Sequence, residues 1–128
     1  MAILHPILPP PVDPKVSVAT VASVASGAST ALECLQVSTG KTGKLMGLVV
    51  SSSIPFKAEL KTVSDGVSGA DKAIWYAHDG GWDFRPPDPL FITVEGTNNV
   101  GTNGFRVIVT NLGFDTADIS AVFYYDEE

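Results

Sequence analysis

Alternation of apolar and polar residues near the C-terminus gives the clearest structural signal in the chain. Residues 105–112 and 119–125 are rich in β-branched and aromatic side chains, and the polar stretch 113–118 separates them. This composition favours strands, in which side chains two residues apart lie on the same face. The pattern predicts an antiparallel hairpin with one apolar face. Because an isolated hairpin is marginally stable in water, we expect a second sheet to cover that face.

The same alternation recurs upstream, interrupted by turn residues. We predict further strands at residues 16–24, 30–38, 44–53, 56–62, 72–78 and 90–95. This gives about eight short strands and no convincing helix, which is typical of an all-β antiparallel sandwich of jelly-roll type. The connections at 39–43, 64–71, 78–89 and 96–104 are interpreted as loops, the first of them a hairpin loop. The predicted core includes Val49, Phe56, Leu60, Ile92, Val107, Val109, Ile119 and Phe123.

Residues 1–14 follow a different pattern, with five prolines among apolar side chains. Proline fixes φ and lacks a backbone donor, so helix and central strand are excluded and an extended arm is predicted before a sandwich domain at 15–128. Its apolar side chains would be poorly hydrated if the arm were free in solvent. It is therefore expected either to pack along its own domain or to lie on a neighbouring subunit or partner. In the second case the arm's interface residues are Ile3, Leu4, Ile7, Leu8, Pro9, Pro10 and Pro11.

Charge and cysteine content exclude several classes of function. Eight basic residues against fourteen acidic ones give a net charge of -6, which disfavours binding to nucleic acid. The single cysteine, Cys34, excludes an intrachain disulfide and is interpreted as a small core side chain. No segment approaches the roughly 20 apolar residues of a membrane span, and the N-terminus lacks the basic region of a secretory signal. We expect a soluble protein made in a cytoplasm, without nucleic-acid or membrane partners.

Candidate chemistry is sparse along the chain. In the 78–89 loop, His78 and three aspartates match no standard zinc or calcium spacing, and no nucleophile motif accompanies them. The turn around Lys41 lacks the upstream glycine of a phosphate-binding loop. We therefore expect no catalytic activity, no cofactor and no bound metal. Trp82, preceded by two glycines, is interpreted as a cap on the core, an anchor for a protein contact or a stacking surface for a sugar.

The C-terminal segments Phe-Arg-Val-Ile-Val-Thr-Asn (105–111) and Ala-Asp-Ile-Ser-Ala-Val-Phe-Tyr-Tyr-Asp-Glu (117–127) resemble the closing strands of small jelly-roll proteins on tailed-phage particles. The proline-rich arm before a compact β-domain is similar to that of capsid decoration, or cement, proteins. The resemblance covers the architecture of the whole chain. It implies a homo-oligomer, dimer or trimer, assembled in the host bacterial cytoplasm. On the virion such a protein binds the major capsid protein at the outer capsid surface and stabilises the shell.

Two other functions remain open from the residues. A carbohydrate- or receptor-binding module would use Trp75, Tyr76 or Trp82 as stacking platforms on the same sandwich. A small enzyme such as a cupin would need a cluster of metal-ligating histidines, whereas the chain has only His5 and His78.

Overall fold

The chain forms nine antiparallel β-strands and no helix within residues 15–78, 81–86, 92–97 and 101–128, which the computed structural model describes. The predicted all-β class is therefore confirmed. In chain order the strands are β1 (Lys15–Val24), β2 (Ser29–Cys34), β3 (Thr42–Ser52), β4 (Phe56–Ser64), β5 (Val67–Ala77), β6 (Gly81–Phe84), β7 (Thr93–Glu95), β8 (Gly104–Asn111) and β9 (Ala117–Glu127).

The strands form two sheets that face each other. Sheet I has the order β1-β9-β3-β6, with β7 also pairing with β3, and sheet II has the order β2-β8-β4-β5. The chain passes from one sheet to the other six times: between β1 and β2, β2 and β3, β3 and β4, β5 and β6, β7 and β8, and β8 and β9. This alternation is the jelly-roll arrangement of a sandwich, so the predicted architecture is also confirmed.

The core lies between the sheets and is filled by the inward side chains of both. Seven of the eight predicted core residues are buried, and the largest fully buried side chains are Phe56, Phe105 and Phe123. Val49 is the exception. Because side chains alternate along β3, Leu48 and Val50 point inward, and Val49 lies on the outer face of sheet I.

The predicted C-terminal hairpin is wrong, although both of its strands exist. β8 belongs to sheet II and pairs with β2 and β4, whereas β9 belongs to sheet I and pairs with β1 and β3. Their apolar faces meet across the core instead of lying side by side. The predicted hairpin loop at 39–43 is wrong for the same reason, because β2 and β3 also lie in opposite sheets.

Two predicted loops contain strands. The predicted loop at residues 64–71 is wrong, because β4 and β5 are joined by a two-residue turn at Asp65 and Gly66, with φ of 53° and 82°. Asp-Gly is a favoured pair for such a type I′ turn, in which both central residues need positive φ. The 78–89 loop contains β6, which pairs with β3. The predicted strand at 90–95 is observed as β7, and residues 87–91 lie outside the described part of the chain.

Candidate functional site

Sheet I exposes an uncharged, largely apolar surface across its three longest strands. Val18 lies beside Val122 on β9, which lies beside Val49 on β3. In the neighbouring row Val16 lies beside Tyr124. Val16 and Val18 are 56% and 66% exposed. We call this surface the apolar face; its residues are Val16, Val18, Met46, Val49, Val122 and Tyr124.

The border of the apolar face is polar. Thr20 and Ser120 form the next row, and their hydroxyl oxygens are 3.1 Å apart. Beyond Val49, Asp83 on β6 approaches Arg85, with 3.5 Å between the carboxylate oxygen and Nε. An apolar surface with a polar rim is typical of a site of interaction with another protein.

The outer face of sheet II differs from the apolar face because it carries charge as well as apolar side chains. Ile74 and Tyr76 on β5 are 49% and 58% exposed there, and three basic and three acidic groups form ion pairs on the same face. The pairs are Glu33 with Arg106 (2.8 Å), Lys61 with Asp71 (2.7 Å) and Lys57 with Glu59 (3.5 Å). We call this surface the charged face. Covering it would remove water from six charged groups, which is unfavourable unless a partner replaces that hydration.

An aromatic cluster closes the sandwich between the edge strands β5 and β6. The rings of Trp75 and Trp82 are stacked, with centroids 5.9 Å apart and an interplanar angle of 10°. Phe84 packs against Trp82, with ring centroids 5.4 Å apart and an interplanar angle of 40°. Trp82 is 4% exposed, whereas Trp75 is 48% exposed. Trp82 therefore caps the core, and the ring of this cluster that an external ligand can reach is that of Trp75.

The predicted interface residues of the arm cannot be placed on this surface. Ile3, Leu4, Ile7, Leu8 and the three consecutive prolines Pro9, Pro10 and Pro11 lie outside the described residues, and their role stays a prediction. The predicted role of Trp82 in a protein contact likewise stays a prediction.

Groups that could carry metal chemistry are not gathered in the described ranges. There, no three histidine, cysteine, aspartate or glutamate side chains come close enough together to hold a metal ion. His78 is exposed at the end of β5. In the same part of the chain, no helix has the length and apolar character needed to cross a membrane.

A hydrogen-bonded group ties the beginning of β1 to the end of β9. The carboxylate of Glu127 accepts hydrogen bonds from the Ser38 N–H (3.0 Å), the Ser38 hydroxyl (3.0 Å) and the Lys15 ammonium (3.1 Å). Burial raises the pKa of Glu127, but these hydrogen bonds outweigh it and hold the pKa below its ordinary value. The arrangement stabilises an ionised carboxylate and fixes the ends of both strands.

The buried phenol of Tyr125 and the buried thiol of Cys34 lie near this carboxylate. Burial raises the pKa of Tyr125 to about 12, and electrostatic interactions with Cys34 and Glu127 act in the same direction. Burial also raises the pKa of the Cys34 thiol. Because both groups are held in their neutral forms, this region is suited to packing and not to nucleophilic chemistry.

Sequence reasoning missed the apolar face, although its strands were predicted. Alternation places Val16, Val18 and Thr20 on one side of β1, but it does not say whether that side faces the core or solvent. The sequence did contain one indication, because Val16, Val18 and Thr20 on one side of β1 are all uncharged. This indication points to an exposed apolar surface only when β1 is known to be an edge strand with that side facing outward.

No protein-family model and no curated protein matches the chain. Among solved structures, it is similar to the N-terminal cellulose-binding domain of β-1,4-glucanase C from Cellulomonas fimi, with 14% identity, coverage of 85% of this chain and 77% of that chain, and a TM-score of 0.47. It is also similar to a chain of the virus-like particle of extra small virus from the giant freshwater prawn Macrobrachium rosenbergii. That match has 11% identity, covers 100% of this chain and 88% of that chain, and has a TM-score of 0.40.

A third similar structure is a chain of the cyanophage Pam1 capsid asymmetric unit. That match has 15% identity, covers 98% of this chain and 93% of that chain, and has a TM-score of 0.37. These neighbours include both capsid proteins and a carbohydrate-binding domain. At such low identities and TM-scores, the likenesses assign no function to the chain.

Proposed function

We propose that this protein is a structural virion protein, a capsid decoration protein that binds the outside of a phage shell and stabilises it as a homo-oligomer. The observation that carries the proposal is the apolar face. A protein that reinforces a shell needs an adhesive surface and no catalytic group. One face of this sandwich is adhesive in that sense, while the opposite face carries six paired charged groups that favour contact with water.

The energy available from the apolar face is moderate for one copy. Fully removing an exposed Val, Met or aromatic side chain from water is worth about 1.5–3 kcal/mol, and the residues of this face are already partly covered. A shell presents the same site many times, so linked copies gain avidity even where each contact is weak. Weak, repeated contacts of this kind are what a decoration protein requires.

The N-terminal arm is the second proposed contact with the major capsid protein. Its five prolines restrict the free chain, so less conformational entropy is lost when the arm is ordered on a partner. The side chains Ile3, Leu4, Ile7 and Leu8 would supply the apolar contact. In the sequence the arm is followed by Lys15, the first residue of β1, and β1 belongs to the sheet that carries the apolar face.

Co-sedimentation with assembled shells tests the role of the apolar face. The shells are those of the major capsid protein encoded in the same genome. Tyr124→Lys places a charge on the apolar face, and Ile74→Lys, at an exposed position of sheet II, is the matched control. We expect at least a tenfold loss of binding for the first variant and wild-type binding for the second. If wild-type protein fails to bind shells, or if only the control loses binding, the proposal is wrong.

Deletion of residues 1–14 tests the arm separately. We expect the remaining domain to keep the melting temperature of the full chain and to bind shells more weakly. A large drop in melting temperature would instead place the arm on its own domain.

Carbohydrate binding is the second candidate, favoured by the exposed aromatic residues of β5. Trp75 is held rigidly against Trp82, and Tyr76 is exposed beside Lys57, whose Nζ lies 5.7 Å from the ring centroid. However, Trp75 and Tyr76 are adjacent in a strand, so they point to opposite sides and cannot form one flat platform. A glycan-array signal that Trp75→Ala removes, without a change in melting temperature, would support this candidate over the shell role.

A further inference from the structure

The open edge of β1 is the most unusual feature of sheet I. β1 pairs with β9 on one side, and no described residue pairs with its other side. The register with β9 is regular from residue 15 to residue 21 and shifts between Val21 and Val24, where Ser23 has a φ of 57°. Along these seven regular residues, alternate backbone N–H and C=O groups point away from β9. They form a straight row available to another strand.

The other edge strands of the sandwich have features that oppose such pairing. β2, β6 and β7 are short, with six, four and three residues. β5 has eleven residues, but Asp71 and Lys72 lie in its middle, and its register with β4 is irregular at two points. Short length, charge and irregularity are the usual means by which proteins prevent edge-to-edge association.

β1 has none of these features over its regular part. Residues 15–21 contain no proline and no bulge, and Lys15 at the very beginning is their one charged residue. Val16 and Val18, two of the three outward side chains of this stretch, are among the most exposed apolar residues described. A long, straight, apolar edge of this kind is a site for strand addition.

Three occupants can be compared for this edge. The arm is a poor one, because its five prolines lack the N–H groups that a continuous ladder needs. β5 of another copy would make a head-to-tail contact, and such contacts produce rings or open filaments. β1 of a second copy closes the assembly at two subunits, because the same edge is used on both sides of a two-fold axis.

We propose that two copies of this chain pair through β1, antiparallel to each other, across a two-fold axis at Val18. This rests on the proposed function and defines the homo-oligomer that it requires. Val18 is the midpoint of the regular stretch, so residues 15–21 of one copy lie opposite residues 21–15 of the other. Val16 is then opposite Thr20 of the second copy, and Lys15 is opposite Val21 of the second copy, which keeps the two ammonium groups apart.

This register also places the outward side chains of both copies on the same side of the joined sheet. Paired residues differ by an even number of positions, so outward residues lie beside outward residues, whereas a shift by one residue would reverse them. The two copies of sheet I become one continuous sheet, and their apolar faces merge into a single surface twice as wide. The dimer interface itself is small, so we expect dimerisation to depend on protein concentration.

Disulfide trapping in the full-length protein tests the register. Paired Cα atoms in an antiparallel ladder are about 4.5–5.5 Å apart, within the range of about 4.4–6.8 Å that a disulfide allows. Val18→Cys should therefore convert most of the protein to a covalent dimer on mild oxidation.

The matched control is Thr20→Cys on the same strand face. Its counterpart in the second copy lies four residues along the strand, about 13 Å away, and should remain uncrosslinked. Wild-type protein, in which Cys34 is buried, gives the background. Equal crosslinking of the two variants, or none with Val18→Cys, overturns the proposal.

Sedimentation equilibrium gives an independent measurement. The wild-type chain of 13.4 kDa should approach twice that mass as its concentration rises. Val18→Lys places two charges at the axis and should reduce the mass to that of one chain, whereas Ile74→Lys on β5 should leave the dimer intact. Dissociation by Ile74→Lys alone would assign the contact to β5 and overturn the proposal. Melting temperatures of both variants show whether each is folded.

The proposed β1 dimer and the proposed shell-binding role can be contradicted independently of each other. Efficient trapping of Val18→Cys without binding to shells would leave the dimer standing and contradict the decoration role. Binding to shells by a protein whose Val18→Cys form does not crosslink would contradict the β1 contact alone.

Discussion

The two outer faces of the sandwich come from strands with the same alternation, yet they differ in charge. On sheet II the outward positions of adjacent strands carry paired charges, such as Glu33 with Arg106 and Lys61 with Asp71. On sheet I the equivalent positions carry Val18 and Val122 side by side. Both sheets cover the same core, so the demands of folding do not explain the difference. It is explained if sheet I is covered in the assembled state and sheet II faces water.

The largest effect is expected inside the sandwich, where both sheets depend on the same side chains. Phe123 is fully buried, and Phe123→Ala should lower the free energy of unfolding by about 3–5 kcal/mol. Tyr124 is the adjacent residue on β9 and lies on the apolar face. Tyr124→Ala should therefore have a much smaller effect on stability. Chemical denaturation of both variants measures the contrast, and similar losses would mean that the apolar face is part of the folded core.

The stacked tryptophans allow the same comparison at the aromatic edge. Trp82→Ala should lower the free energy of unfolding by about 3 kcal/mol, because this ring is nearly buried. Trp75→Ala should cost less than half as much, since its ring is half exposed. If Trp75→Ala is the more destabilising variant, Trp75 is not an available surface residue and the carbohydrate-binding candidate loses its platform.

Asn111 on β8 forms a polar link between the two sheets, and its substitution tests the contribution of that link to stability. Its amide donates to the carbonyl oxygens of Val24 (3.0 Å) and Asp115 (2.8 Å), and its side-chain oxygen accepts from the Gly113 N–H (2.8 Å). Asn111→Ala leaves these backbone groups without that partner and should cost about 1–3 kcal/mol in a denaturation experiment. Leu112→Ala, at the next and exposed position, is the control and should be close to wild type.

The buried phenol of Tyr125 predicts a loss of stability in alkaline solution. The pKa of Tyr125 rises from 10.0 to about 12 on folding, so the folded protein holds a proton that the unfolded chain releases. The stabilising contribution is complete below pH 10 and is lost as the pH rises towards 12. Tyr125→Phe removes this titration, and its melting temperature should therefore fall less between pH 9 and pH 11. An unchanged slope would show that Tyr125 ionises as easily in the folded chain as in the unfolded one.

The smallest effect is expected on the charged face. Glu33→Gln breaks the ion pair with Arg106, and partly exposed pairs of this kind contribute less than about 1 kcal/mol. We also expect no change in dimer mass or shell binding. A clear loss of either property would mean that sheet II is an interface as well, and the contrast between the two faces would no longer hold.

The sequence by itself determined most of the strands and the class of fold. The period of two along each strand identified all-β structure and seven core residues, including Phe56, Leu60 and Phe123. The Asp65–Gly66 turn was also readable from sequence, because few residue pairs tolerate positive φ at both positions.

Tertiary structure decided which strands pair and which side of each strand faces outward. β8 and β9 are neighbours in sequence but lie in opposite sheets, and Val49 points outward between two buried residues. Period-two alternation sorts side chains into two sets, but it does not identify the set that faces the core. That choice depends on contacts between strands far apart in the chain. The apolar face and the open edge of β1 exist because of those contacts, which is why neither was visible in the sequence.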